Sequence, residues 1–235
     1  MNTALQFGGG KDSLACLYLL EPRWSEITVA WINTGAAFPE TRALMERIAK
    51  LVPHFLEIKS DVITDITQNG WPVDVLPIRH SAQGQIIEST RLKLRSWFDC
   101  CGTNMWRPLD AKMRELGVTE IVRGQRNQEL YKSPVRDGTT LDGITYRFPL
   151  QDWTTEQVFD YLKGRGVDIP ANYAFAPTSL DCWLCTAYLD EKAPQLHYTK
   201  MYHPNKHRVV VEKLTEIRAA IDRTYQPLQE AIYGR

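Results

Sequence analysis

Ala4-Leu5-Gln6-Phe7-Gly8-Gly9-Gly10-Lys11-Asp12-Ser13 is the stretch on which the fold turns. Ala4–Phe7 reads as a short buried strand. Asp12–Leu20, with Leu14, Ala15, Leu17, Leu19 and Leu20, is apolar on most sides, as expected of a helix packed on a sheet. Between them lie three consecutive glycines. Without Cβ atoms, their backbone N–H groups can converge on an anion. The start of the helix adds partial positive charge, Lys11 a point charge and Ser13 a hydroxyl. A Walker A loop needs G-x-x-x-x-G-K-[ST], which this segment lacks, so the chain is not that kind of NTPase; the segment suits an anion-binding loop of another kind or a plain strand-to-helix turn.

Downstream, the strand–loop–helix pattern repeats. Ile27–Ile32 reads as a strand ending in Asn33-Thr34-Gly35. Pro39–Val52 follows as a helix opened by Pro39, and Phe55–Ile58 as a third strand. Alternation of this kind predicts a parallel sheet with right-handed crossovers, and ligands beyond the carboxyl ends of the strands. From Asp61 to Ser89 the pattern weakens to loops with one short helix. Trp106–Leu116 is a helix closed by Gly117, and Thr119–Val122 a strand ending in Arg123-Gly124-Gln125-Arg126. Residues 138–149 read as a hairpin or extended excursion. Thr154–Lys163 is a helix capped by Thr154, and Val209–Ile232 a long amphipathic helix. The expectation is an α/β fold: one parallel-sheet nucleotide-binding domain over residues 1–185, with a helical extension over 186–235.

The bulk numbers set limits. The chain has 235 residues and 43% hydrophobic content, enough for a substantial core, and 28 basic against 28 acidic residues. An anion site must therefore come from local clustering rather than global charge. No run approaches the ~18 apolar residues of a membrane span, and the N-terminus lacks the charged and apolar regions of a signal peptide. No membrane association is expected, and a cytoplasmic location is. There, paired cysteines more often hold metal than form disulfides.

Five cysteines occur. Cys16 falls inside the first helix among Ala and Leu, as a buried apolar residue. Cys100-Cys101 and Cys182-x-x-Cys185 form two pairs about 80 residues apart. Four thiolates suit an iron–sulfur cluster or zinc, and adjacent cysteines fit two corners of a cluster more easily than one zinc ion. A redox dithiol and a disulfide are the other readings. Arg91, Lys93, Arg95 and Arg107 flank the first pair, while Arg123, Arg126, Lys132 and Arg136 follow a strand end. Both sets suit an anion pocket or a solvated face. Lys206, His207 and Arg208 suit a nucleotide or nucleic-acid contact equally with ordinary surface. His54, His80, His197 and His203 show no metal spacing.

Gly8–Ser13 resembles the Ser-Gly-Gly-x-Asp-Ser signature of PP-loop ATP pyrophosphatases and sulfonucleotide reductases, with Gly8 in place of the serine. Asn33-Thr34-Gly35 with Phe38-Pro39-Glu40-Thr41 is similar to the Asp-Thr-Gly…Phe-Pro-Glu-Thr segment that lines the adenosine pocket of PAPS reductases. Arg123-Gly124-Gln125-Arg126 and Phe148-Pro149-Leu150…Asp152-Trp153-Thr154 resemble later blocks of the same family. The resemblance is to the PAPS/APS reductase-like branch of the PP-loop (adenine nucleotide alpha-hydrolase-like) superfamily, and spans most of residues 4–185. It implies an adenine-nucleotide site of Gly8, Gly9, Gly10, Lys11, Asp12, Ser13, Asn33, Thr34, Gly35, Arg123 and Gly124, with Lys11, Ser13 and Arg126 acting in catalysis. The cysteine spacing resembles that of assimilatory APS reductases and implies a 4Fe-4S cluster on Cys100, Cys101, Cys182 and Cys185.

One departure redirects the expected chemistry. Reductases of this family attack sulfur with a cysteine in a Glu-Cys-Gly-Leu-His segment, and here no cysteine follows Cys185. The expected function is ATP-dependent activation, with Mg²⁺ accompanying the nucleotide, followed by sulfur transfer to a nucleic acid or similar acceptor. The sulfur donor would be a cysteine desulfurase or thioredoxin. Sulfonucleotide reduction of APS or PAPS, releasing sulfite, is the alternative; a nucleotide- and redox-sensing module is the third. The apolar positions Val209, Leu214, Ile217, Ile221 and Leu228 suit either packing on the domain or a homodimer.

Overall fold

The computed structural model describes residues 2–74, 92–129, 133–180 and 182–234; of residues 190–192 and 224 it describes the backbone only. Arg91, Lys132 and His80 lie outside the described residues, as does the end of the stretch read as loops.

Six strands form the main sheet in the order β3-β2-β1-β6-β8-β7. They are β1 (Thr3–Gln6), β2 (Ile27–Asn33), β3 (Phe55–Lys59), β6 (Glu120–Val122), β7 (Thr140–Leu141) and β8 (Ile144–Arg147). All neighbours pair in parallel except β7 with β8, which make the expected hairpin. Alternate residues of a strand face opposite sides, and the core divides accordingly. Leu5, Val29, Trp31 and Val122 pack with Leu14 and Leu17 of α1 (Lys11–Leu19), with Leu44, Met45 and Ile48 of α2 (Pro39–Leu51), and with Val158 and Leu162 of α6 (Thr155–Gly164). Ala4, Ala30, Ile121 and Ile144 pack on the other face with Leu109 and Met113 of α5 (Arg107–Glu115). Met113 is fully buried; truncating such a side chain to Ala costs about 2–5 kcal/mol.

Strand order reverses between β1 and β6: β2 and β3 run outward on one side, β8 and β7 on the other. That reversal is where doubly wound sheets open a crevice for ligands. Gly8–Ser13 leaves β1 there, and Arg123–Arg126 leaves β6 there. The α6 cap is a capping box: Thr154 Oγ1 accepts from Gln157 N at 3.2 Å and Gln157 Oε1 from Thr154 N at 2.7 Å. Gly117 closes α5 at φ +61°, as the sequence predicts.

Three features depart from the sequence reading. The weak stretch after Asp61 holds, besides α3 (Val62–Asn69), a strand β4 (Trp71–Val73) that pairs in parallel with β5 (Leu94–Ser96) in a separate two-stranded sheet. The helix expected from Trp106 begins earlier: α4 (Trp97–Cys101) runs through a π turn (Gly102–Trp106) into α5. The C-terminal region holds two helices, α7 (Leu189–Tyr202) and α8 (Pro204–Tyr233). Ile217 and Ala220 of α8 pack on Val73 and Leu94 of the small sheet, while Tyr198 of α7 packs on Phe38 and Leu180. Among the described residues no helix is long and apolar enough to cross a membrane.

Candidate functional site

The head of α1 gathers two glycines, a buried lysine and a buried arginine. Gly9 adopts φ +81°, a conformation that favours glycine, and Gly10 sits at the N-cap with no side-chain cap of its own. Ser13 Oγ donates to the Gly10 carbonyl at 2.9 Å, tying the loop to the first helical turn. Lys11 is 5% exposed, and its Nζ donates to Asp12 Oδ2 at 2.6 Å. Arg126, equally buried, donates from Nε to Asp12 Oδ1 at 2.7 Å and from Nη1 to the Trp153 carbonyl at 3.2 Å. One carboxylate thus orients two cations, leaving net positive charge at the helix head. Glu129 lies near enough to feel them: burial raises its carboxyl above the usual range, Asp12 adds to the rise, and Arg126 opposes it.

Gly124 makes the closest backbone approach here. A Cβ built on it falls 2.7 Å from the Asp12 carbonyl carbon and 2.8 Å from Ser13 N. The β6 loop therefore lies directly against the first turn of α1. Gly8 is unlike it, with nothing within 4 Å of a built Cβ.

Tyr173 completes the loop. Its hydroxyl accepts the Lys11 backbone N–H at 2.8 Å, and its ring lies 5.6 Å from the Lys11 ammonium. A phenolic oxygen therefore stands on a helix-head donor of the kind an anion uses. Gly8 and Gly9 open beside it onto a cavity of about 310 Å³ whose walls include Tyr173, Asn172, Ser179 and Tyr198. No local sequence signal couples Tyr173 to Lys11 across 162 positions.

Arg123 is directed elsewhere. Its Nε donates to Gln6 Oε1 at 2.5 Å and its guanidinium lies 5.1 Å from the Tyr146 ring centroid. Burial lowers its pKa from the usual arginine value. Arg123 thus stands at the strand ends on the α5 face, apart from the Asp12–Lys11–Arg126 group.

Asn33, Thr34 and Gly35 form a tight turn in which Gly35 N donates to Asn33 Oδ1 at 3.0 Å and Gly35 adopts φ +84°. Asn33 Nδ2 reaches Glu57 Oε1 at 2.7 Å, so Asn33 and Gly35 border a groove with Arg42 and Lys59. Thr34 turns the other way, with Oγ1 2.9 Å from Cys182 Sγ. One turn, at the end of the strand paired with β1, therefore borders this groove on one side and touches a cysteine on the other.

All four paired cysteines line one cavity of about 250 Å³, walled also by Thr34, Val62, Ile66, Trp97, Trp106 and Tyr188. Cys100 and Cys101 come from α4, Cys182 and Cys185 from a tight turn in which Cys185 N donates to the Cys182 carbonyl at 3.2 Å. The Cys182–Tyr188 segment is anchored from both ends: Trp183 N donates to the Ala36 carbonyl, and Thr186 Oγ1 to that of Pro72 at 2.6 Å. The four thiols are unbridged. Burial pushes Cys100 up to about 11, opposed by Arg95 and assisted by Cys185; burial pushes Cys101 up to about 12, assisted by Cys185 and Cys100. Ionising them together requires a compensating positive charge, which a metal centre provides. Among the described residues, no three His, Cys, Asp or Glu side chains stand in an arrangement able to hold a single metal ion. Cys16 is fully buried in α1, its thiol pushed well up by burial.

The basic residues flanking Cys100 have local partners: Lys93 Nζ donates to the Gln68 carbonyl at 3.1 Å, and Arg107 Nε to that of Gly102 at 3.2 Å. Arg95 is buried against Asp65, a pairing that its place in the sequence does not reveal. His203, without metal spacing, instead bonds Glu40 Oε1 at 2.7 Å, as does the Tyr198 hydroxyl at 2.7 Å. Lys206 lies 5.0 Å from the Trp183 ring centroid.

Residues 2–188 match the family described as the phosphoadenosine phosphosulfate reductase domain. The chain is 26% identical over 169 residues to the phosphoadenosine 5'-phosphosulfate reductase of Gloeobacter violaceus, covering 69% of this chain and 61% of that protein. It is 25% identical over 170 residues to the protein of that name from Xanthomonas axonopodis pv. citri, covering 72% of this chain and 64% of that one. The chain thus spans less than two thirds of the length of these curated relatives. In fold it is similar to the phosphoadenylyl-sulfate reductase of Candida auris, solved as a phosphate complex. The TM-score is 0.54 at 19% identity, over 78% of this chain and 82% of that chain.

Proposed function

The chain belongs to the phosphoadenosine phosphosulfate reductase domain family, and from that premise we propose that it binds an adenine nucleotide at the β1–α1 loop and activates it for sulfur chemistry beside a 4Fe-4S cluster. The observation that supports this reading is Thr34: it lies in the turn that leaves β2, the strand paired with β1, and its hydroxyl is 2.9 Å from Cys182 Sγ, so in this reading the loop after β1 and the cysteine cavity serve one site.

In this reading the nucleotide's phosphates displace the Tyr173 hydroxyl from the Lys11 amide and use the free donors of the glycine loop. Asn33, Thr34, Gly35 and Gly124 border the rest of the nucleotide, while the Arg123 side chain, held on Gln6 and Tyr146, stays outside the phosphate group's reach. Asp12 holds Lys11 and Arg126 in register with the loop, and Mg²⁺ enters with the nucleotide as its counter-ion. In the ATP-dependent form, an acceptor oxygen attacks the α-phosphorus, the bond to the bridging oxygen breaks, and pyrophosphate departs. Lys11, Ser13 and Arg126 stabilise the charge that builds on it. A sulfur nucleophile from a donor protein then displaces AMP from the acceptor, for which a nucleic acid is the proposed class.

Four thiols on one largely apolar cavity are a donor set that fits a cluster. Cys100, Cys101, Cys182 and Cys185 would hold it, and when bound it would supply electron-transfer capacity near the reacting end of the nucleotide. The protein's own contribution there is to exclude water and to align the Cys182 thiolate through the Thr34 hydroxyl. Residues 186–235 are proposed as an extension bracing this site.

Sulfite release from PAPS is the second reading, favoured by the names of both curated relatives. The test is a paired assay on anaerobically purified protein: pyrophosphate from ATP with nucleic acid and a sulfur donor, and sulfite from PAPS or APS with a thiol reductant. Pyrophosphate release that disappears in Lys11→Ala supports the first reading. Sulfite release alone would replace it with the second. Tight nucleotide binding with neither product would refute both and leave a binding module.

A further inference from the structure

Behind the cysteine cavity lies a buried charge pair that the nucleotide chemistry leaves unused. Asp65 of α3 and Arg95 of β5 are 8% and 5% exposed and in direct contact, and Asn104 of the π turn is 3% exposed. Asn104 Nδ2 donates to Asp65 Oδ2 at 2.5 Å and to the Cys100 carbonyl at 3.0 Å, and lies 3.9 Å from Cys100 Sγ. Asn69 Nδ2 donates to the other carboxylate oxygen at 2.8 Å. Arg95 lies close enough for its positive charge to oppose the burial-driven rise of the Cys100 thiol, and among the described residues its Nε has no partner.

Burying an ion pair is costly and gives weak net stability, so its presence calls for another reason. Here the pair is aimed: Asp65 holds the Asn104 amide, which presents an N–H group to the Cys100 sulfur, and fixes the positive guanidinium of Arg95 beside it. N–H groups and positive charge around a ligating thiolate stabilise the more negative, reduced state of an iron–sulfur centre and raise its potential. The π turn contributes too. Asn104 is carried in it, with its amide back over Cys100, four positions earlier.

We propose that the Asp65–Arg95–Asn104 network is the positioning element of the metal site, holding Cys100 in its ligating geometry and setting the cluster's reduction potential. The proposal rests on the cluster reading above. Asp65, Arg95 and Asn104 act through Cys100 and touch no substrate.

The test uses the anaerobically purified full chain, comparing wild type, Arg95→Gln, Arg95→Lys and Asn104→Leu by iron content, electron paramagnetic resonance and redox titration. Arg95→Gln is expected to lower the potential by at least about 59 mV, a tenfold change in a one-electron equilibrium, with altered g-values. Arg95→Lys, which keeps the charge, is expected to recover at least half of the shift. Asn104→Leu leaves the ion pair in place, guards against a simple folding failure, and is expected to shift the potential in the same direction by a smaller amount. Wild type loaded with about four irons, but with potential and spectrum unmoved in both Arg95→Gln and Asn104→Leu, would overturn the network's role and leave the cluster standing. Wild type without iron would overturn the cluster reading itself, and the proposal with it.

Discussion

Replacing Gly124 with alanine tests whether the β6 loop and the phosphate loop work as one unit. The added Cβ would lie 2.7 Å from the Asp12 carbonyl carbon, 2.8 Å from Ser13 N and 2.9 Å from the Asp12 carbonyl oxygen. Ordinary contacts between such atoms lie near about 3.5–4.0 Å, and all three neighbours are backbone of the first turn of α1. The two segments must therefore separate by roughly 0.5–1 Å. Overpacking of this kind costs about 1–3 kcal/mol, which in a domain of this size lowers the melting temperature by about 2–12 °C. The same separation stretches the 2.7 Å contact between Arg126 Nε and Asp12. Losing one charge-assisted hydrogen bond that orients Arg126 costs about 1.5–3 kcal/mol; if all of it is lost from binding, nucleotide affinity falls roughly 10- to 150-fold. Calorimetric titration with ATP and PAPS, alongside thermal unfolding, measures both effects. Gly8→Ala is the control, because a Cβ there meets nothing within 4 Å. Nucleotide affinity within twofold of wild type, with an unmoved melting temperature, would refute the reasoning.

Tyr173→Phe removes the hydroxyl that accepts the Lys11 N–H; stability should fall by about 1 kcal/mol while nucleotide affinity rises several-fold, and weaker binding would mean that Tyr173 contacts the ligand instead of yielding to it. In metal-free protein, alkylation of Cys100 and Cys101 should accelerate about tenfold per pH unit past pH 9, because their thiols ionise only near about 11 and 12; a rate plateau by pH 9 in peptide-mapped labelling would show that burial does not govern them. Burial alone would raise the Glu40 carboxyl, but hydrogen bonds from Tyr198 and His203 outweigh it and hold it below its usual value. The stability it contributes is present above the unfolded carboxylate pKa and lost as pH falls through the lower folded value. Glu40→Gln should flatten acid unfolding there, and identical acid limbs would count against a role for Glu40 in bracing α7 and α8.

Legibility followed the range of the interactions. The β1–glycine–α1 unit, Gly117 and the Thr154 cap are local devices, and each appears where its residues predict. The small β4–β5 sheet was hidden because each strand has only three residues and one contains Pro72, a residue that argues against pairing. α7 was hidden by Pro194 within it. Convergence of the two cysteine pairs was readable from their grouping alone. The Asp65–Arg95–Asn104 contacts and the hydroxyl of Tyr173 on Lys11 were not, because no periodicity joins residues 30 to 162 positions apart. Arg95 reads as a solvated or anion-binding cation beside Cys100, and only burial reveals it as half of an internal pair.

The separation of the cysteine pairs also orders events during synthesis. Walls of the 250 Å³ cavity come from Thr34, from residues 62–72, from residues 97–106 and from residues 178–188, so no early fragment contains the whole site. At translation rates of about 5–20 residues per second, Cys182 follows Cys101 off the ribosome by roughly 4–16 s. Through that interval Cys100 and Cys101 are thiols without their partners, in a nascent chain whose sheet at first still lacks β6, β7 and β8. In the cluster reading proposed above, a full set of four ligands would exist only after residue 185 has emerged, which would tie loading to a late stage of folding and make resistance to unfolding depend on metal supply.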